Sequence, residues 1–414
     1  MKNKIIYYST LVLITVLTIV LFKTPPMELK TTIAKKTQQL VSNTTVSPQR
    51  LFIQAWRDSK NQYYDPQMNG QNWLKWKEHY LPYIKTNEDV YIAVNSMLQS
   101  LNDPHSRFMD ISEFENQNIN IESNISGIGI SITEIKGKIV IAGTIDNSPA
   151  QKANLLPGDT ILQINGKNLN KISLIETINL IRGDKNSTVT LTVKRKNNIF
   201  TKSLKRDIVN IKSVYSKKLE NGMGYIQVVS FMGKNVPMEF KKALEEQKQS
   251  RALIIDLRGD AGGLLTNAIT IANMFIKKGT IVNVVYRNGI KIPIPAQKMS
   301  TIKERPIAIL INSRTASASE VLAGTLRDNI NATIIGESSY GKNSIQQIIP
   351  LPNKTGMNLT IAKYIMPSGE DIHLRGIKPN YYIDYTRENY VKNQDPQLDK
   401  AKMFLKNELL ASNK

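Results

Sequence analysis

From Gly224 onward, short runs of aliphatic side chains alternate with helical stripes, and this alternation constrains the fold more than any other feature of the chain. Tyr225 to Val229 reads as a strand, and Ala252-Leu253-Ile254-Ile255-Asp256-Leu257 as a strand buried on both faces. Leu265, Ala268, Ile271, Ala272 and Phe275 then recur at helical spacing. Pro306 to Ile311 is a second buried strand, Ala318 to Leu326 a second helix, and Thr333-Ile334-Ile335 a third strand. Such a pattern predicts an α/β layer with helices packed on a sheet.

The rest of the 414 residues divides by texture. Ile5 to Phe22 carries no charge, and eighteen residues at helical rise span roughly 27 Å, enough to cross a bilayer core. No small-residue cleavage site follows, only Lys23-Thr24-Pro25-Pro26, so residues 5–22 read as an anchor rather than a removed leader. The expected segments are a cytoplasmic tip and transmembrane anchor at 1–23 and a linker at 24–46. A helical N-terminal region follows at 47–112, then a mostly-β module at 113–206. The α/β core occupies 207–385 and a helical tail 386–414. In the helical region Leu51, Phe52, Ala55 and Trp56 share one face, and Thr86-Asn87-Glu88-Asp89 has the form of a capping box. The helices at 47–101 and 396–412 offer surfaces either for a homo-oligomer or for packing on their own chain.

Composition narrows the chemistry. With no cysteine, disulfides, thiolate zinc sites and cysteine nucleophiles are excluded. Three histidines, His79, His105 and His373, leave little for a histidine metal cluster or triad. The formal charge of +21 favours anionic partners. The basic residues are scattered rather than interleaved with aromatics, so nucleic acid is not expected, and lipid or an acidic wall polymer accounts for the charge equally well.

Three segments bear possible catalytic chemistry. Asn312-Ser313-Arg314-Thr315-Ala316-Ser317-Ala318-Ser319-Glu320 places serines where a buried strand turns into a helix. Backbone N–H groups and the helix dipole there stabilise a negative oxygen, although a serine at such a turn taken alone is usually a cap. Gly341-Lys342-Asn343-Ser344-Ile345-Gln346 carries a lysine that serves as a base only if burial or a nearby cation lowers its pKa; a lone lysine is otherwise a solvated charge. Asp256-Leu257-Arg258-Gly259-Asp260-Ala261-Gly262-Gly263-Leu264-Leu265 is a glycine-rich loop between strand and helix that presents N–H groups, and it is not a Walker A loop.

Taken in order, these runs resemble the carboxy-terminal processing proteases, also called tail-specific proteases, which are serine endopeptidases with a serine–lysine dyad and a PDZ domain. Leu101-Asn102-Asp103-Pro104-His105-Ser106, Tyr364-Ile365-Met366-Pro367-Ser368-Gly369 and Gly376-Ile377-Lys378-Pro379 extend the resemblance from about Leu51 to Tyr385. It implies Ser317 as nucleophile, Lys342 as general base, Gln346 as the group orienting the lysine, and Gly259 and Ala318 as oxyanion donors. It also implies that the β-rich module is a PDZ domain. Gly127, Ile128, Gly129 and Ile130 would then hold the carboxylate of a substrate tail, with Arg182 as a possible gate. Protein substrates are the implied partners; no metal or other cofactor is. The sequence departs from the family pattern at Arg314, Asp260, Asn154 and Asn343, where glycine, asparagine, glycine and glycine are usual, and Asn343 is compatible with a left-handed turn. The rival reading is a catalytically inactive PDZ scaffold that binds protein C-termini.

Overall fold

The computed structural model describes residues 41–170, 172–297 and 302–411. The expected membrane helix at 5–22 and most of the linker lie outside these. Among the described residues no helix is long and apolar enough to cross a membrane.

The chain forms two compact units. One is built, among the described residues, from 41–117, Asn283–Pro293 and Asn343–Ile365. Its helices Pro48–Gln62 and Asn87–Gln99 begin with the expected caps: Ser47 accepts the Arg50 N–H, and Thr86 and Asp89 form a reciprocal capping box. Leu51, Phe52 and Ala55 of the first helix and Met97 and Leu98 of the second bury against Leu351, Met357 and Leu359. Those last residues lie on the hairpin Ser344–Leu351 and Thr355–Ile365, which also pairs with Arg107–Met109. The helical region at 47–112 is therefore not self-contained. Strands assigned from sequence to the α/β core complete it, because its apolar faces need a sheet to cover them. The motif at 101–106 braces this sheet: Ser106 donates to Asp103 at 2.6 Å and accepts the Thr360 N–H at 3.0 Å.

The second unit contains the described residues of 118–282, 294–342 and 366–411. Its sheet runs in the order Val214–Lys218, Met223–Val228, Ala252–Asp256, Ile307–Ile311, Thr333–Gly336, Tyr381–Tyr382. All neighbouring pairs are parallel except the first. Every residue of Ala252–Asp256 and Ile307–Ile311 is buried, as their unbroken aliphatic runs require. Ala401, Leu405 and Leu409 of the C-terminal helix Pro396–Ala411 cover one face of this sheet, so that helix packs on its own chain.

The β-rich module holds a sheet of Ile130–Ile135, Lys138–Thr144, Thr160–Ile164, Thr188–Arg195 and Asn198–Lys205 around its own core, centred on Ile141, Ile164, Val189 and Leu191. Its start is later than the expected residue 113. Ile111–Glu122 is a helix, and the ribbon Asn124–Gly127 paired with Asp207–Asn210 frames the module. Only Phe114 of that helix is buried, so no apolar stripe betrays it in the sequence.

Candidate active site

Ser317 stands at the turn between the strand Ile307–Ile311 and the helix Ala318–Ile330, with φ +57° and ψ −117°. A non-glycine residue pays conformational strain for that backbone, and such strain is characteristic of residues held for function. The surroundings enforce it. Thr315 donates its hydroxyl to the Leu257 carbonyl at 2.9 Å, Ala316 N–H bonds the Asp260 carbonyl at 3.0 Å, and Tyr340 N–H bonds the Thr315 carbonyl at 2.9 Å. Gly262, at φ +91°, lies so close behind Ser317 that a Cβ there would stand 2.6 Å from the Ala316 carbonyl oxygen and 2.9 Å from the Ser317 Cβ. The glycine-rich loop and the serine turn thus form one packed unit.

Glu320, three residues into the same stretch, is fully buried. Its Oε2 accepts the Ser317 N–H at 2.7 Å and the Lys342 N–H at 3.0 Å. Its Oε1 accepts the Gly341 N–H at 2.6 Å and the Ser339 hydroxyl at 2.5 Å. Because one oxygen atom takes both Ser317 and Lys342, their backbone nitrogens cannot be farther apart than the sum of those two distances. Burial pushes the Glu320 carboxyl up, and its four donors pull it back. Ser339 is held in turn by the Ile377 N–H at 2.7 Å, and Gly376 is required beside it because a Cβ there would collide with the Ser339 carbonyl. The Gly376-Ile377-Lys378-Pro379 run thereby acts on the site through Ser339 and Glu320.

The remaining site residues fall as follows. Ala318 opens the helix, whose first N–H groups have no carbonyl of their own helix to meet. The Gly259 N–H is taken by the Asn312 side-chain oxygen at 3.0 Å, an engagement that an incoming oxyanion must displace. Gln346 lies on Ser344–Leu351 in the other unit, where its amide nitrogen donates to the Ser344 and Thr360 hydroxyls at 2.9 and 3.0 Å. Gly341, at φ +88°, takes the left-handed turn, and Asn343 is not among the residues of positive φ; a Cβ at 341 would strike the Ile372–Gly376 backbone, so glycine is needed one position before the lysine. His373 is exposed and His105 half-buried.

In the β-rich module, Gly127 to Ile130 leads into Ile130–Ile135, an edge strand that packs beside the helix Leu174–Ile181. The carbonyls of Ile128 and Gly129 point inward and accept the Ala150 and Ile145 N–H groups, each at 2.9 Å. Arg182 ends the helix. Sequence reading missed Arg206. This buried guanidinium donates to the Leu180, Ile181 and Thr188 carbonyls and to the Ser187 hydroxyl, and so closes the C-terminal end of that helix. Glu320 was missed too, although Ser317-x-x-Glu320 has capping-box spacing and signals it.

Three family models match the chain: the tricorn protease C1 domain over residues 46–97, the PDZ domain over 126–205 and peptidase family S41 over 222–383. The carboxy-terminal processing protease CtpA of Bacillus subtilis is 38% identical over 319 residues, which cover 75% of this chain and 68% of CtpA. The carboxyl-terminal-processing protease of Picosynechococcus is 36% identical over 346 residues, covering 81% of this chain and 83% of the relative. Among solved structures, the photosystem II D1 C-terminal processing protease aligns over 82% of this chain and 94% of its own, at 30% identity and a TM-score of 0.54. The tricorn protease, at 17% identity and a TM-score of 0.53 over 88% of this chain and 37% of its own, shares the fold. These matches, over most of the chain, show that it belongs to the carboxy-terminal processing proteases, serine-type peptidases of family S41.

Proposed function

We propose that this peptidase is anchored in a membrane by residues 5–22, faces outside the cytoplasm, and cuts proteins near their C-termini with Ser317 as nucleophile and Lys342 as general base. The observation that carries this reading is the single Glu320 oxygen shared by the Ser317 and Lys342 N–H groups. The neutral lysine amine takes the serine proton as the hydroxyl oxygen attacks the scissile carbonyl carbon. The resulting oxyanion meets N–H groups at Gly259 and Ala318. The tetrahedral adduct collapses, the C–N bond breaks, and the lysine returns its proton to the leaving amine. A water, deprotonated by the same amine, then attacks the acyl ester and frees Ser317. Two neighbouring serines have other work: Ser319 donates to the Asp260 carbonyl and Ser339, before the lysine turn, to Glu320.

The PDZ domain supplies the substrate's tail contact in this reading. With the Ile128 and Gly129 carbonyls turned inward, the loop offers its N–H groups to a terminal carboxylate. The tail then adds as a strand to the open edge of Ile130–Ile135, beside the helix Leu174–Ile181. A soluble chain lacking residues 1–40, incubated with substrate proteins that differ only in their last few residues, tests the reading. Ser317→Ala and Lys342→Ala each abolish cleavage while binding of a C-terminal peptide persists. Continued cleavage by either variant would overturn the dyad, and loss of peptide binding in both would overturn the separation of tail contact from chemistry.

A further inference from the structure

The hydrolytic scheme makes no use of Asp260, yet this acid is fully buried against the serine turn. Its Oδ1 accepts the Gly262 N–H at 2.8 Å. Its main-chain carbonyl accepts the Ala316 N–H at 3.0 Å and the Ser319 hydroxyl at 3.2 Å. Its Oδ2 is shut off from water and has no hydrogen-bond partner. An orphaned oxygen is far costlier on a carboxylate than on a neutral acid. Burial accordingly pushes this acid up to about 7, against the pull of the Gly262 N–H.

The charged groups of the same site come from three directions. Arg314 lies over the glycine loop, with Nη2 3.8 Å from where a Gly259 Cβ would stand. Glu320 is saturated by its four donors, and Lys342 follows the Gly341 turn. Arg258, two residues before Asp260, is already engaged by Asp256 and Asp395.

We propose that Asp260 is a positioning residue that works as the neutral acid: un-ionised, it holds the Gly262 turn against Ser317 in an uncharged wall, and loss of its proton to solvent sets an unpaired negative charge beside the forming oxyanion and slows acyl transfer. The inference rests on the acyl-transfer reading above. It makes the site most competent on the acid side of its own titration, whereas a lysine base alone gives a rate that only climbs with pH.

The rate at which a fluorophosphonate labels the full chain, kept in detergent, tests this without knowledge of the natural substrate. From pH 6 to 8.5 the ratio of the Asp260→Asn rate to the unaltered rate climbs by about 30-fold, the drop expected of one proton titrating near 7. Asp260→Ser, which keeps an acceptor for Gly262 but nothing that titrates, gives the same climb. Ratios that stay flat with pH in both variants overturn the proposal. Failure of both variants to fold also counts against it, since it would mark a purely architectural carboxyl. Labelling that survives Ser317→Ala would instead defeat the acyl-transfer reading.

Discussion

Buried acids are where single side chains decide most in this protein. Glu320 offsets part of the cost of burial by filling both oxygens with donors, and Asp58, on the helix Pro48–Gln62, is a second buried acid. Burial raises the Asp58 carboxyl to about 6, and the nearby Arg57 charge and the Gln54 hydrogen bond only partly offset this. The folded state therefore binds this proton more tightly than the unfolded chain. The resulting stability is complete below the unfolded value near 3.8 and is lost as pH rises through about 6. Asp260 adds a loss of the same sign through about 7. Urea unfolding at pH 4.5 and 7.5 checks this: Asp58→Asn removes about 2 kcal/mol of the pH-dependent change. Equal pH dependence in the variant and the parent would contradict it.

At the scale of elements, the strand–turn–helix unit around Ser317 depends on what backs it. Gly262→Ala adds a Cβ into a left-handed position already filled by the Ala316 carbonyl and the Ala318 nitrogen. Because the clash pushes on the serine itself, the variant loses about 100-fold in kcat/KM. Steady-state cleavage read beside thermal melting checks that the loss exceeds any fall in stability. The elements legible in the sequence are those whose pattern is local. The aliphatic runs at 252–257 and 306–311 and the helix after Ser317 fall where periodicity places them, and the capping box at Thr86 forms as spelled. The hairpin 344–365 falls in the span read as the α/β core, and its pairing with Arg107–Met109 and burial against Leu51 and Phe52 are long-range choices that leave no local mark. In the candidate site, motifs drew attention to Ser317, Lys342 and the glycine loop, and the Glu320 carboxylate meets the backbone of the first two. Asp260 was noticed only as a departure, since its importance lies in a missing hydrogen-bond partner, which no residue pattern records.

Across the second unit, the glycine loop is tied to the far end of the chain. Arg258 binds Asp256 with Nη2 at 2.6 Å and grips both oxygens of Asp395 at 2.8 Å, while Tyr225 donates to Asp256 at 2.7 Å. Gln397 completes the cluster, accepting from Arg258 at 3.0 Å and donating to the Ile383 carbonyl at 2.7 Å. Removing one partner strands a buried charge, so Arg258→Leu costs about 3–5 kcal/mol and frees the helix Pro396–Ala411. Hydrogen exchange across that helix, with no change in protection as the opposing result, reads this out. For the molecule as a whole, the proposed hydrolysis requires one reactive hydroxyl, on Ser317, and one neutral amine, on Lys342. Mass mapping of a fluorophosphonate adduct tests that pairing most directly. The adduct is expected on Ser317 in the unaltered chain and at least about 100-fold slower in Lys342→Ala. A label on another residue, or undiminished labelling of Ser317 without the lysine, would contradict it.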